Sequence, residues 1–383
     1  MKPIVIAGAG PAGLSAAIHL RRSGYPVEIY ERRRTVGARF IGEYQILENY
    51  SRKEDVLGEL AEMGIEANFE HIQVQEATLY DDRKTGRKVR SQEPYGFFLR
   101  RGSAPGTLDR GLEAQARDLG ATIHLGEHLA PEEADIIATG PGPADGIAKQ
   151  IVFQTGSSDR VEVIFDPELA PGGYAYCFVL NGWGTLGLAL LKGYSQLGLQ
   201  FEKAKERFQS LGPFSIESPQ SGYSYMNFYL HGSSQKGGAF FAGEAGGFQD
   251  YMFGLGIRYA LISGHLAARA VVENAEYDRL WSERFAGMMR VSVTNRLLYE
   301  ALGRFGLRLF VWQAAHRDFR QLLHTWARPS WWRLASRPLA ERLLGKAGQC
   351  AHKSPCDWCR PREGRTGKIE TLPADFVARY LNQ

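Results

Sequence analysis

Residues 1–31 read MKPIVIAGAGPAGLSAAIHLRRSGYPVEIYE, and this stretch decides the fold. Ile4–Ala7 is a short apolar run ending at a glycine, as strands buried on both faces do. The segment 11–22 then places Leu14, Ala17, Ile18 and Leu20 on a helical face, and Gly24 ends it. The run 27–30 is a second strand. Strand, turn, helix and strand in about thirty residues make a βαβ unit.

The turn is Gly8-Ala9-Gly10-Pro11-Ala12-Gly13, a GxGxxG pattern placed after a strand and opening a helix. Gly8 permits the tight turn, Gly10 lets backbone approach a pyrophosphate, and Gly13 lets helix and strand pack closely, with Ala12 between them. Free N–H groups and the helix dipole then favour the phosphate charge. Glu31 ends the second strand eighteen residues after Gly13, placed to accept hydrogen bonds from a ribose, and Arg32 follows it. The pattern points to a dinucleotide without separating FAD from NAD.

A second glycine-rich block lies far downstream. Phe241-Ala242-Gly243-Glu244-Ala245-Gly246-Gly247 precedes Gly254-Leu255-Gly256-Ile257 and a helix through Ser263-Gly264-His265-Leu266-Ala267-Ala268. On these residues the chain resembles the FAD-dependent oxidoreductases of the geranylgeranyl reductase and aromatic hydroxylase superfamily. The resemblance implies one non-covalent FAD, with Glu244 in the place of the family's aspartate and Gly254 and Gly256 beside the flavin ring. A helix N-terminus at Ile257 would stabilise an anionic reduced flavin. The family's middle segment is similar to Arg100-Arg101 followed by Leu108-Asp109-Arg110, which makes Arg101 a candidate FAD contact. Thr139-Gly140 resembles a strand end passing the cofactor. The stretch GARFIGEYQ, with Arg39 in it, stands where geranylgeranyl reductases carry a loop over the flavin, without their cysteine.

Departures narrow the function. The hydroxylases' Asp-Gly pair is replaced by Thr139-Gly140-Pro141, and no second GxGxxG marks a domain for NAD(P)H. Tyr174-Ala175-Tyr176-Cys177-Phe178-Val179 with Gly182-Trp183-Gly184 partly matches the aromatic strand over the reductases' substrate cavity, or is an ordinary sheet strand. The expectation is a reductase or dehydrogenase of C=C or C–C bonds in a small apolar, isoprenoid-like or lipid substrate. The alternatives are an FAD monooxygenase and an electron-transfer flavoprotein. NAD(P)H or a reduced electron carrier would supply electrons. Catalytic residues are not identifiable, and Tyr176 and Glu43 are the candidate proton donors.

The fold class is α/β: a discontinuous Rossmann-like FAD-binding domain (1–150 and 235–275), an inserted antiparallel β-sheet substrate domain (151–234, with part of 50–95), a helical C-terminal region (276–345) and a cysteine-bearing tail (346–383). Within this frame Ile72–Tyr80 and Lys88–Phe98 each read as one strand.

Of 383 residues, 44% are hydrophobic and 23% charged, which excludes disorder and a disulfide mini-scaffold. A net charge of +4 argues against nucleic acid as a partner. The surplus is local: from Arg290 to Lys346 eleven basic residues face three acids. That stretch is also rich in tryptophan. It reads either as Arg-rich helices wrapping the FAD domain with Trp in the core, the preferred reading, or as a peripheral membrane contact. Three of four cysteines crowd the tail, where Cys350, His352, Cys356 and Cys359 suit zinc or an iron–sulfur site, or are free thiols. With no signal peptide and no apolar run of ~18 residues, the chain reads as cytoplasmic, at most attached to a membrane surface.

Overall fold

A computed structural model describes residues 1–140, 146–226 and 233–343. The chain opens with β1 (Ile4–Ala7), α1 (Pro11–Arg22), β2 (Val27–Glu31), β3 (Tyr44–Glu48) and α2 (Val56–Glu62). Four short strands follow, β4 (His71–Val74), β5 (Glu76–Tyr80), β6 (Gly86–Arg90) and β7 (Gly96–Arg100). Next come α3 (Leu108–Asp118), β8 (Thr122–Leu125) and β9 (Ile136–Ile137). The central segment is β10 (Gly146–Gln154), β11 (Arg160–Ile164), β12 (Tyr174–Leu180), β13 (Trp183–Leu190), α4 (Leu197–Leu211) and β14 (Glu217–Met226). The chain then returns through β15 (Gln235–Lys236), β16 (Ala239–Phe241) and α5 (Ile257–Glu273), followed by α6 (Tyr277–Trp281), α7 (Gly287–His316), α8 (Phe319–Ala327) and α9 (Trp331–Leu343).

Among the described residues the strands form three sheets. The first has the order β15-β16-β9-β1-β2-β8 and is parallel except for β15. Its strand order reverses at β1, which has β2 on one side and β9 on the other, so a crevice opens beyond the carboxyl ends of these strands. Gly13 lets α1 pack on the end of β1, and Gly264 lets α5 cross closely over α1. A Cβ on Gly13 would stand 2.0 Å from the Gly8 carbonyl oxygen, and one on Gly264 2.0 Å from that of Ala12.

The second sheet, β14-β10-β13-β12-β11-β5-β6, is antiparallel except for the parallel β5–β11 pair. One of its faces packs on α4 through Phe201, Ala204 and Phe208. A third sheet, β3-β7-β4, joins the two.

The structure differs from the sequence expectations in three places. The domain boundary at residue 150 falls inside β10, whose whole length pairs with β13 and β14, so residues 146–150 belong to the substrate sheet. Ile72–Tyr80 and Lys88–Phe98 each hold parts of two strands in different sheets: the chain changes sheet at Gln75, and again across residues 91–95, where Pro94 cannot donate to a ladder. In the C-terminal region Trp281 is buried and Trp326 is half-buried, but Trp312, Trp331 and Trp332 are exposed rather than in the core.

Among the described residues no helix is long and apolar enough to cross a membrane, and no group of His, Cys, Asp or Glu is arranged to hold a metal. Cys350, His352, Cys356 and Cys359 lie outside the described residues.

Candidate cofactor and substrate cavity

One cavity runs from the carboxyl ends of β1, β2 and β9 to the face of the second sheet. All but one of the cofactor candidates read from the sequence line it. Gly8, Gly10 and Ala12 form its floor, and Glu31 and Arg32 border one end. Arg39, Arg101, Thr139 and Gly140 stand along it, and Gly243, Glu244, Gly254, Gly256 and Ile257 close the opposite wall. Gly13 lies beneath, where it serves the strand–helix contact rather than the wall.

The glycines of the first turn behave differently from one another. Gly8 has φ +102°, and a Cβ there would meet the Ala138 carbonyl oxygen at 2.4 Å. Gly10 caps α1, and a Cβ there would meet nothing within 4 Å, because it would project into the cavity. Bare backbone therefore faces open space at the N-terminus of a helix that has no side-chain cap, which suits a phosphate. Glu31 is pinned for a ribose: its Oε2 accepts from Ala9 N and its Oε1 from Arg33 N, each at 3.0 Å.

At the other wall α5 also starts without a side-chain cap, at Gly256, so its first N–H groups point to the cavity end. Arg39 Nη1 bonds Glu244 Oε2 at 2.8 Å, a pair that links the loop after β2 to the second glycine block. Arg101 is buried and clamps Asp109 through Nε at 2.9 Å and Nη2 at 2.8 Å. Its Nη1 also bonds Gln45 Oε1 at 3.2 Å, and its guanidinium lies 4.1 Å from the Phe40 ring centre. Most of its donors are thus engaged within the protein, so it braces the wall and retains few for a cofactor.

The substrate end is aromatic. Tyr174, Tyr176 and Phe178 alternate along β12 and all face the cavity, while Cys177 points into the core behind them. Tyr176 stacks on Phe178 with centroids 5.1 Å apart. It lies over Gly187, its partner across β13, where a Cβ would stand 2.2 Å from the ring. Trp183 does not join this wall. Its indole N–H donates to the Gly42 carbonyl at 3.0 Å, and Arg100 sits over its ring, so it braces the 39–43 loop from outside.

Sequence reading misses two groups, one inside the site and one beside it. Gln150 Nε2 donates to Glu43 Oε1 at 2.8 Å, and Gln150 Oε1 accepts from the Tyr176 hydroxyl at 3.2 Å. The two candidate proton donors are therefore held by one amide. Glu43 is buried, and desolvation pushes its carboxyl above the ordinary value, although the N–H of Ile41 and the nearby Arg101 charge act against this. Burial likewise raises the Tyr176 phenol, which stays neutral. The signal for Gln150 was an amide at a face position between Ala148 and Val152 in an apolar strand. Asp250 lies behind Phe253 and Leu255 in a side cavity with Tyr50 and Tyr259. Burial pushes its carboxyl up to about 6, against the N–H groups of Phe253 and Met252.

The model of the NAD(P)-binding Rossmann-like domain matches residues 6–43. No curated protein matches the chain. Solved structures share most of its architecture. A geranylgeranyl bacteriochlorophyll reductase-like protein from Thermoplasma acidophilum is 17% identical, with 90% of this chain and 98% of that one covered at a TM-score of 0.67. The flavin-dependent brominase Bmp2 is 16% identical (90% and 98% covered, TM-score 0.61). The p-nitrophenol 4-monooxygenase PnpA from Pseudomonas putida DLL-E4 is 14% identical (84% and 98% covered, TM-score 0.55). The shared property at these identities is the fold, a Rossmann-like sheet joined to an antiparallel substrate sheet and C-terminal helices.

Proposed function

We propose that the chain is an FAD-dependent oxidoreductase of the geranylgeranyl reductase and aromatic hydroxylase superfamily, and that it reduces or dehydrogenates C=C or C–C bonds of an apolar, isoprenoid-like or lipid substrate. The observation that carries this reading is the single cavity, which joins a bare-backbone dinucleotide cradle at one end to an aromatic wall at the other. FAD, when bound, supplies two-electron hydride transfer.

The chain's own residues do the rest. Gly8 and Gly10 admit the diphosphate, Glu31 holds a ribose, and the N-terminus of α5 presents N–H groups at the far end. Tyr174, Tyr176 and Phe178 exclude water from an apolar substrate and orient it. Glu43 holds the proton that the reaction needs at its carboxyl, and Gln150 fixes that carboxyl and the Tyr176 hydroxyl in one arrangement.

The test is to photoreduce the flavin-loaded protein without air and add polyunsaturated isoprenoids. Reoxidation driven by the alkene, with slow reoxidation by oxygen alone, supports a reductase. Substrate-stimulated oxygen uptake with NAD(P)H would instead make it a monooxygenase, and reoxidation only by a protein electron acceptor would make it an electron carrier.

A further inference from the structure

Among the described residues, nine of the eleven exposed large hydrophobic side chains lie on the C-terminal helices. Gly303 (φ +49°, ψ −138°) breaks α7, and the segment beyond it is apolar on two opposite faces. Leu307, Val311 and Ala314 are buried inward. Phe305, Leu309 and Trp312, at spacings of four and three, point the other way, and Phe305 is 72% exposed. A helix with two apolar faces normally has both covered. Helix α9 packs beside the first half of α7, with the Thr294 hydroxyl donating to the Arg333 carbonyl and Ala340 against Val293. It too is exposed and apolar outward: Trp332, Leu339 and Leu343 form one stripe and Trp331, 82% exposed, stands beside it.

Charge identifies what covers this surface. Arg317, Arg328 and Arg342 are exposed and stand within five residues of Trp312, Trp331 and Leu343 along the chain, and among the described residues no ion pair holds any of them. A second copy docked by a two-fold axis would press this basic rim against itself. Residues 344–383 carry seven Lys/Arg against four Asp/Glu, so they do not complement the rim either. Tryptophan at headgroup depth, leucine and phenylalanine below it and arginine at the rim are the composition of an interfacial lipid contact.

We propose that the exposed faces of α7 and α9 dock the protein on an anionic lipid bilayer. Trp312, Trp331, Trp332 and Phe305 enter the headgroup boundary, and Arg317, Arg328 and Arg342 meet lipid phosphates. The surface is separate from the cavity, so docking and flavin chemistry stand or fall independently.

The test uses the full chain in vesicle co-sedimentation. Vesicles of phosphatidylglycerol and phosphatidylcholine should pellet it, phosphatidylcholine alone should not, and added salt should release it. Binding should shift tryptophan emission to the blue. Phe305→Ser/Trp312→Ser/Trp331→Ser should lower pelleting at least about tenfold while flavin retention is unchanged. Arg317→Glu/Arg328→Glu/Arg342→Glu should abolish the preference for anionic vesicles and leave the apolar face intact. A wild-type chain that stays in the supernatant with anionic vesicles overturns the proposal. So does a concentration-dependent dimer dissolved by the serine variant, or tryptophan emission in lipid-free protein that resists acrylamide and shows the face already covered.

Discussion

Gln150 donates to Glu43 at 2.8 Å across 107 residues of sequence, and so ties the substrate sheet to the loop beside the dinucleotide cradle. Glu43 itself is 1% exposed, and among the described residues Gln150 is the side chain that links it to β10. The pair makes acid–base behaviour of the site depend on the junction of two sheets.

Glu43→Gln keeps a neutral side chain of the same size, so FAD should remain bound while turnover falls by about 10²–10⁴, the usual worth of a positioned general acid. Tyr176→Phe should cost less, since it removes only an outer hydrogen bond. Steady-state rates with matched flavin content decide between them; an equal loss in both variants would move the proton-donating role to Tyr176.

The same residue predicts a pH dependence of stability. The folded carboxyl of Glu43 is raised above its ordinary value of 4.5. Its stabilising share is therefore complete below that value and is lost as pH rises through the raised one. Asp250, at about 6, adds a slope of the same sign. Thermal melts between about pH 5 and 8 should show wild type losing stability relative to Glu43→Gln as pH increases.

Gly187 makes room for the Tyr176 ring. Gly187→Val should displace that ring and cost about 1–3 kcal/mol by overpacking, read by urea unfolding. Flavin content should not change, because Gly187 lies in the substrate sheet and outside both glycine turns, whereas substrate affinity should drop.

Arg258, near the start of α5, is 2% exposed and bonds Glu59 at 2.7 Å, with Glu48 at 3.6 Å. Glu59 also pairs with Arg284. Glu59→Ala leaves a buried cation short of its closest partner and should destabilise by about 3–5 kcal/mol. Equilibrium unfolding checks this; a loss below about 1 kcal/mol would mean the site behaves as a surface pair.

The parts of the site written in consecutive residues were legible. GAGPAG reveals its turn because Gly8 and Gly13 answer local steric demands while Gly10 leaves the backbone bare, and Glu244 with Gly254 and Gly256 stands in a family pattern that is also local. What escaped depended on distant contacts. Gln150 is an ordinary amide until β10 brings it to Glu43, and Asp250 acquires meaning only when Tyr50 and Tyr259 close over it. Arg101 looked available for a cofactor because Asp109, which engages it, stands eight residues away on α3. Alternation on β12 was readable, but which face met the cavity was not, and Trp183 was grouped with the wrong wall. The tryptophans of α7 and α9 looked like core because hydrophobicity alone does not distinguish an inward face from an outward one.

On the proposed function, the cradle at Gly10 holds the diphosphate of one FAD. The most direct measurement is the visible spectrum and released-flavin content of the purified chain and of Gly10→Val after incubation with FAD. The wild-type chain should release about one FAD on acid treatment and the variant none, while the variant should melt as wild type does without flavin, since a Cβ at position 10 meets only open space. A colourless wild type that takes up no added FAD, or a fully loaded Gly10→Val, would contradict it.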